Sequence, residues 1–189
     1  PLDLFHIILN EVKMNLPVQY KYLLQNEAPN IIKEAIKLYG IKEVVGPKHN
    51  QEILSWAKEL GLEKVYTNDE IAWCGLAAAI FAKRAGYVPV KDPLWARNWS
   101  NFGNKQKEAM LGDILVFSRE SGGHVGLYVG EDPLCYHVLG GNQSNSINIT
   151  RIKKDRCISI NRCPWKIGQP LSVKKIFLNS DVSISTNEA

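Results

Sequence analysis

A buried helix is encoded by residues 73–81, which read Trp-Cys-Gly-Leu-Ala-Ala-Ala-Ile-Phe. This stretch is apolar on nearly every side, and its side chains are unusually small. A helix that is apolar all round is buried in the core of a domain. We therefore predict a helix over 67–86, opened by the polar run 67–70 and closed by Gly86, with a sheet packed closely against its small side chains.

Two further helices are predicted before this one. The first follows Pro29, which suits a first helical position, and ends at Gly40. The second starts after Asn50, a good N-cap residue, and stops at Gly61. Residues 1–28 also contain helical spacing, and we predict that they form an N-terminal helical appendage.

The hydrophobic pattern changes from helical to strand-like after Pro93. Short runs separated by Gly, Asp, Pro and Asn follow at intervals that fit an antiparallel meander, namely 114–117, 125–129, 136–139 and 147–149. Helices first and strands second predict an α+β domain over 29–165. Residues 166–189 are expected to form a C-terminal extension that is partly flexible, with a weak strand at 176–178.

The composition excludes several classes of protein. Of the 189 residues, 45% are apolar and 22% are charged, which excludes a disordered chain, a collagen-like repeat and a coiled coil. The apolar runs fall short of the roughly 18–20 residues that cross a bilayer, so we expect no transmembrane segment. The net charge of +4 is scattered along the chain and does not predict a nucleic-acid surface.

The cysteines do not predict a disulfide scaffold or a metal site. There are four, at 74, 135, 157 and 163, and their spacing is uneven. Cys157 and Cys163 could form a disulfide in an exported protein. Cys135, His137 and the two later cysteines are zinc-ligand types, but none has the CxxC spacing of a zinc finger. We therefore predict no metal and no cofactor.

Cys74 and His124 are the predicted catalytic pair. Cys74 lies at the start of the buried helix, where free backbone N–H groups stabilise a thiolate and can bind the oxyanion of an attacked carbonyl. His124 follows two glycines and opens the strand 125–129, from where its imidazole can reach a neighbouring thiol. The alternatives are a structural cysteine and an exposed strand-end histidine, and Cys74 taken alone favours the structural one.

Several motifs in this order resemble the NlpC-type and CHAP-type cysteine peptidases and amidases. They are 73–76 (Trp-Cys-Gly-Leu), 111–117 (Leu-Gly-Asp-Ile-Leu-Val-Phe) and 123–130 (Gly-His-Val-Gly-Leu-Tyr-Val-Gly). The stretches 42–50 and 137–144 are similar to a phage- and prophage-associated branch of that superfamily. The similarity covers about residues 29–165.

The resemblance implies a papain-like α+β fold in which the cysteine helix packs on an antiparallel sheet. It also implies hydrolysis of peptide or amide bonds in the peptidoglycan stem peptide, in the bacterial periplasm or cell wall, with Cys74 as the nucleophile and His124 as the general base. Endopeptidase and amidase cleavage both stay open. A phage lysin and an interbacterial effector stay open too, and an effector would need an immunity protein as its partner. We expect a monomer.

The residue that orients the imidazole of His124 has two candidates. NlpC-type relatives place a polar residue, often His, on the next strand, where His137 falls. CHAP-type relatives use Glu or Asn further along, where Asn142 falls. We favour Asn142, because 140–143 (Gly-Gly-Asn-Gln) is typical of a shaped site loop. Strand alternation places Asn142 and His137 on opposite faces, unless the two glycines break it.

Trp73, Gly123 and Asp69 are the expected substrate-binding residues. Trp73 could line a glycan groove together with Trp95 and Trp99, although buried tryptophans are commoner. Asp69 is also a candidate cap for the cysteine helix. Two other functions remain: a non-catalytic wall-binding module on the same fold, and a papain-like toxin or acyltransferase that acts on proteins.

Overall fold

The computed structural model describes residues 15–179 and 183–188. Within these ranges the helices are α1 (Asn30–Ile36), α2 (Gln51–Glu59) and α3 (Cys74–Arg84). The strands are β1 (Asn104–Lys105), β2 (Ile114–Ser118), β3 (Gly123–Glu131), β4 (Cys135–Gln143), β5 (Ser146–Lys153) and β6 (Cys157–Arg162). Short 3₁₀ helices lie at Val18–Leu24, Ala96–Asn101 and Lys154–Arg156. In these ranges no helix is both long and apolar enough to cross a membrane.

The strands form one antiparallel sheet in the order β1-β6-β2-β3-β4-β5. The hairpins β2–β3, β3–β4 and β4–β5 make up the predicted meander, so the α+β class is confirmed. β6 was not predicted from the sequence. Its isoleucines, Ile158 and Ile160, lie on a partly exposed face, so the strand carries little of the apolar signal of a core strand.

Helix α3 begins at Cys74 rather than at residue 67, which corrects the prediction. The preceding residues form turns because Asp69 is buried and its Oδ2 accepts the backbone N–H groups of Val44 and Asn50, at 2.9 and 2.7 Å. The carboxylate thereby ties the chain before α3 to the loop before α2. It does not cap α3, whose N-cap residue is Trp73.

α3 packs against β3 and β4, and α1 contacts it as well. The approach to β4 is closest at Gly141, where an added Cβ would lie 2.4 Å from the Cβ of Ala77 and 2.7 Å from Cζ3 of Trp73. Real Cβ atoms do not come this near to other heavy atoms. The prediction that small side chains let a sheet approach the cysteine helix is therefore confirmed.

Segments at both ends of the described chain contribute to the same core. Leu16, Tyr20 and Leu23 are buried in the cluster that contains α3, whereas the helical spacing predicted for residues 1–14 lies outside the described residues. Near the other end, the partly buried Ile176 and Leu178 pack against this cluster. Phe177, between them, makes an isolated parallel bridge to Glu131, at the place of the predicted weak strand.

Substitution of Gly141 by alanine tests the close approach of α3 and β4. We expect Gly141→Ala to lower the free energy of unfolding by about 1–3 kcal/mol, because the methyl group overpacks the contact with Ala77 and Trp73. Denaturant titration measures the loss. Ala77→Gly removes the facing methyl group, so the double variant should lose less than the sum of the two single losses. Strictly additive losses would contradict the contact.

Candidate active site

Cys74 is the first residue of α3, and its side chain is buried, with 4% of its surface exposed. Burial raises the pKa of the thiol above its ordinary value, and hydrogen bonds from the backbone N–H groups of Val125 and Gly75 act in the opposite direction. The first turn of a helix leaves its backbone N–H groups without partners inside the helix. The thiol therefore lies where donors are available to a developing negative charge.

The contact with Val125 places the thiol beside the beginning of β3. β3 pairs with β4 from Leu127 opposite Leu139 to Glu131 opposite Tyr136, so this pairing begins only after Gly126. On its other edge this stretch of β3 pairs with β2, with His124 opposite Phe117 and Val125 opposite Val116. His124, the residue that precedes Val125, lies in the same stretch of β3.

The imidazole of His124 is completely buried, and its Nε2 lies 3.0 Å from Oε1 of Gln143. Nδ1 is also buried and has no hydrogen-bond partner among the described residues. The two nitrogens of the ring therefore differ sharply in their surroundings. Which of them carries the proton follows from the orientation of the Gln143 amide.

The amide group of Gln143 is held in one orientation. Its Nε2 lies 3.1 Å from the carbonyl oxygen of Val138, 2.8 Å from that of Asn148 and 3.0 Å from Oδ1 of Asn148. Nδ2 of Asn148 donates to the carbonyl oxygen of Gln143 at 2.7 Å. The other atom of the Asn148 amide, Oδ1, is therefore the one that faces Gln143 Nε2, and it accepts a hydrogen bond from it. All three neighbours of Gln143 Nε2 are acceptors, so the amide oxygen faces His124.

His124 is consequently the Nε2–H tautomer with a free lone pair on Nδ1. Gln143 Oε1 can only accept, so Nε2 must donate. Burial lowers the pKa of His124 to about 4, although the nearby Glu188 and the hydrogen bond to Gln143 act to raise it. At neutral pH the ring is therefore uncharged, and Nδ1 is a buried proton acceptor.

The contact that we predicted for Asn142 is made by its neighbour Gln143. Asn142 is buried with a positive φ of 54°, and the pairing of β4 with β5 shifts between Gly140 and Gln143. This bulge breaks the strand alternation at the two glycines, so a neighbour of Asn142 faces His124. An added Cβ on Gly140 would lie 3.0 Å from Gln143 Oε1, so the amide occupies the space that this glycine leaves free.

His137, the other candidate, belongs to a separate buried cluster. Its Nδ1 lies 2.6 Å from the Tyr20 hydroxyl, and its Nε2 lies 2.9 Å from Oδ2 of Asp132. Nε of Arg151 donates to the same carboxylate oxygen at 2.7 Å. Burial acts to raise the pKa of Asp132, but hydrogen bonds from Arg151, the Leu134 N–H and His137 outweigh it and hold the pKa below its usual range. Both nitrogens of His137 are thus engaged away from His124.

The three residues predicted to bind substrate have other surroundings. Trp73 is fully buried and donates from Nε1 to Oε2 of Glu43 at 3.0 Å, so it does not line an open groove. Asp69 is buried and also lies 2.9 Å from Nδ1 of His49, which makes it a structural anchor. Gly123 is partly exposed at the start of β3, in the β2–β3 hairpin.

The other two tryptophans of the predicted glycan groove differ in their exposure to solvent. Trp99 is fully buried and donates from Nε1 to the carbonyl oxygen of Pro93 at 2.9 Å. Trp95 is 72% exposed. Of the three, Trp95 alone is therefore open to a ligand in this structure.

Charged residues that the sequence analysis did not single out lie near the predicted pair, Cys74 and His124. Arg119 lowers the pKa of both Cys74 and His124, whereas Glu188 raises that of His124. Glu188 is itself buried and paired with Arg156. Gln143 could have been found in the sequence as the residue after Gly-Gly-Asn, but the two arginines carry no local signal.

Comparison with known proteins adds no relative, since no family model, curated protein or solved structure matches the chain. Within the described residues, no group of three or more His, Cys, Asp or Glu side chains is arranged to hold a metal ion. Cys157 and Cys163 are both free thiols in the structure. The assignment of a function therefore rests on the geometry around Cys74 and on the sequence motifs.

The tautomer of His124 can be read directly by NMR. We expect the ¹⁵N shifts of its ring to show a protonated Nε2 and a bare Nδ1 at neutral pH, and to stay constant as the pH falls from 8 to about 5, because the buried ring resists protonation. The His124→Gln variant assigns the signal. A ring that titrates near the ordinary value of about 6.5 would contradict the geometry.

The cluster around His137 should contribute to stability. Asp132→Asn removes the carboxylate that pairs with the buried guanidinium of Arg151, and we expect the free energy of unfolding to fall by about 3–5 kcal/mol. Glu108→Gln, which removes the exposed partner of Lys175, is the matched control and should leave the unfolding midpoint nearly unchanged. Equal effects of the two substitutions would refute the structural importance of the buried cluster.

Proposed function

We propose that the protein is a papain-like cysteine hydrolase that cleaves peptide or amide bonds of the peptidoglycan stem peptide. One observation carries the chemistry: a thiol at the N-terminus of a buried helix lies beside the strand that bears a neutral imidazole with a free Nδ1. The choice of substrate is supported by the sequence motifs around Cys74 and His124.

In the proposed reaction, Nδ1 of His124 accepts the thiol proton of Cys74 as the sulfur attacks the carbonyl carbon of the substrate. The oxyanion that forms can accept hydrogen bonds from backbone N–H groups at the start of α3. When the tetrahedral intermediate collapses, the C–N bond breaks and the imidazolium returns its proton to the leaving amine. Water then attacks the thioester with His124 again as the base, which releases the acid and regenerates the thiol.

Proton transfer accompanies attack in this proposal, because no ion pair is favoured in the resting protein. Burial raises the pKa of Cys74 and lowers that of His124 to about 4, so the neutral thiol and the neutral imidazole are the stable forms. Gln143 has two roles: its oxygen keeps the proton on Nε2, and it accepts a stronger hydrogen bond when the ring becomes charged.

A wall hydrolase of this kind suits either a phage lysin or an interbacterial effector, as the motifs also suggest. Mass spectrometry of products from defined muropeptides distinguishes endopeptidase cleavage within the stem peptide from amidase cleavage between muramic acid and L-alanine. If the protein is an effector, a small immunity protein should co-purify with it when the two are expressed together.

Loss of the nucleophile should abolish the activity. We expect Cys74→Ala to release no new amine from muropeptides under reducing conditions, because no other group forms the thioester. His124→Ala should nearly abolish release, since the thiol then lacks its proton acceptor. Liquid chromatography with mass spectrometry measures the products. Undiminished release by Cys74→Ala would refute the proposal. So would the absence of release from both the native chain and Glu188→Ala, which removes the carboxylate near His124.

The third residue is identified by a pair of neighbouring substitutions. General acid–base assistance contributes roughly 10²–10⁴-fold to a rate. Gln143→Ala should lower kcat by a factor within or below that range, with little change in KM. Asn142→Gly keeps the positive φ that this position requires and should leave kcat close to that of the native chain. A greater loss for Asn142→Gly than for Gln143→Ala would restore Asn142 as the orienting residue.

A further inference from the structure

Residues 183–188, here called the strap, lie against the part of the molecule that holds the catalytic pair. Its last residue, Glu188, is buried, while Ser183, Thr186 and Asn187 are exposed. The strap is therefore not held by burial of apolar side chains. Its attachment depends on the Glu188 carboxylate, on the Asn187 amide, whose Oδ1 accepts a hydrogen bond from Arg119, and on contacts of its backbone.

The carboxylate of Glu188 is bound by arginine. Nη1 of Arg156 lies 2.7 Å from Oε1, and Nη2 of Arg156 lies 2.9 Å from Oε2, which is the two-pronged geometry that arginine forms with carboxylates. Nε of Arg119 lies 4.0 Å from the same Oε2. Two guanidinium groups thus face one acidic side chain whose own exposure is 0%.

The arginine that binds Glu188 is held in place by other contacts. Nε and Nη2 of Arg156 lie 3.2 and 3.1 Å from the carbonyl oxygen of Ser118, at the end of β2. The guanidinium would therefore keep its position without Glu188. A charged group that is fixed in advance loses little entropy when it binds a carboxylate.

The backbone of the strap binds as a peptide ligand does. The N–H of Ser185 donates to the carbonyl oxygen of Arg151 at 2.9 Å, and Ile184 makes a parallel bridge to Arg151 on the edge strand β5. The carbonyl oxygen of Glu188 accepts the N–H of Ser144 at 2.8 Å. Addition of an extended segment to a sheet edge, with one anchoring side chain, is a common mode of peptide recognition.

The bound carboxylate is next to the catalytic residues. Ser144, which binds the backbone of Glu188, follows Gln143, the residue that holds His124. Glu188 is close enough to raise the pKa of His124. A cavity of about 520 Å³ adjoins the strap and is lined by Arg119, Arg156 and the exposed Glu120, among others. The cavity therefore extends beyond the part that the strap fills, and both arginines reach its wall.

We propose that Arg119 and Arg156 form a carboxylate-binding subsite for an acidic peptide, and that the strap occupies this subsite in the resting molecule. The role of this subsite in binding a substrate rests on the hydrolase function proposed above. A substrate with a carboxylate at the matching position displaces Glu188, and the strap leaves the entrance to Cys74 and His124. The binding itself needs no hydrolysis and can be tested separately.

Binding of a free peptide tests the subsite. The receptor is the full chain with Cys74→Ala and Glu188→Ala, which cannot form a thioester and in which the strap lacks its anchor. The probe is the strap sequence, acetyl-Ser-Ile-Ser-Thr-Asn-Glu-amide, titrated by calorimetry. We expect this peptide to bind, and its Gln counterpart to bind about tenfold more weakly or not at all, because it lacks the charge.

Three further arms make the result decisive. Arg156→Gln in the receptor should remove the preference for Glu over Gln. A Gln-ending peptide with a free C-terminal carboxylate shows whether a main-chain carboxylate serves as well as a side chain. The Cys74→Ala chain with Glu188 intact should bind the probe far more weakly, since its own strap competes at a high effective concentration. Equal binding of the Glu and Gln peptides, or no binding of either, would overturn the subsite.

Access to the thiol tests the occupancy by the strap. Iodoacetamide should alkylate Cys74 severalfold faster in Glu188→Ala than in the native chain, as followed by peptide mass mapping. Cys163, which is buried near Gly112, serves as the internal control, and its rate should not change. Glu188→Gln, which keeps hydrogen-bond acceptors for Arg156, gives a milder second variant if Glu188→Ala unfolds. An unchanged rate at Cys74 in folded variants would show that the strap does not cover the site.

The two proposals fail in different experiments. If the receptor prefers the Glu peptide but the chain releases no amine from muropeptides even with Glu188→Ala, the subsite is supported and the hydrolase function is refuted. If the chain hydrolyses muropeptides but the receptor shows no preference for the Glu peptide, the hydrolase function is supported and the subsite is refuted.

Discussion

The passage of β4 across α3 at Gly141 is the contact on which the arrangement of the site depends. There is no room for a side chain between this position and Ala77 or Trp73, so the strand lies directly on the helix that carries Cys74. The bulge between Gly140 and Gln143 occurs at the same place. It turns the amide of Gln143 toward His124 and directs the following hairpin toward Glu188. One tight packing contact thereby fixes the helix that carries Cys74 against the strand that carries Gln143, the partner of His124.

The two buried histidines of the sheet show how a partner sets the behaviour of an imidazole. His124 donates to a neutral amide, and burial lowers its pKa to about 4 with only partial compensation. His137 lies against the ionised Asp132, and both of its nitrogens are engaged. A ring with one free nitrogen and no carboxylate bonded to it can accept a proton in a reaction. A ring with both nitrogens occupied joins strands and an N-terminal segment into one structure.

Local patterns in the sequence predicted the meander and the buried character of α3, because strand alternation and a run of small apolar residues are properties of neighbouring residues. The start of α3 could not be predicted in this way. It depends on hydrogen bonds from Val44 and Asn50 to Asp69, which come from residues distant in the chain. The role of Gln143 was hidden for a similar reason, since a bulge changes which face a residue occupies. The pair of Arg156 and Glu188 joins positions 32 residues apart and leaves no periodic signal.

The burial of Cys74 affects how readily peroxides oxidise its sulfur. Peroxides oxidise thiolates far more readily than protonated thiols, and the first product, a sulfenic acid, cannot attack a carbonyl. Cys74 is 4% exposed and its pKa is raised, so the resting protein keeps its sulfur protonated and shielded. As the proposed nucleophile, a sulfur kept in this state withstands oxidising surroundings, and it becomes vulnerable to them only while the site is open.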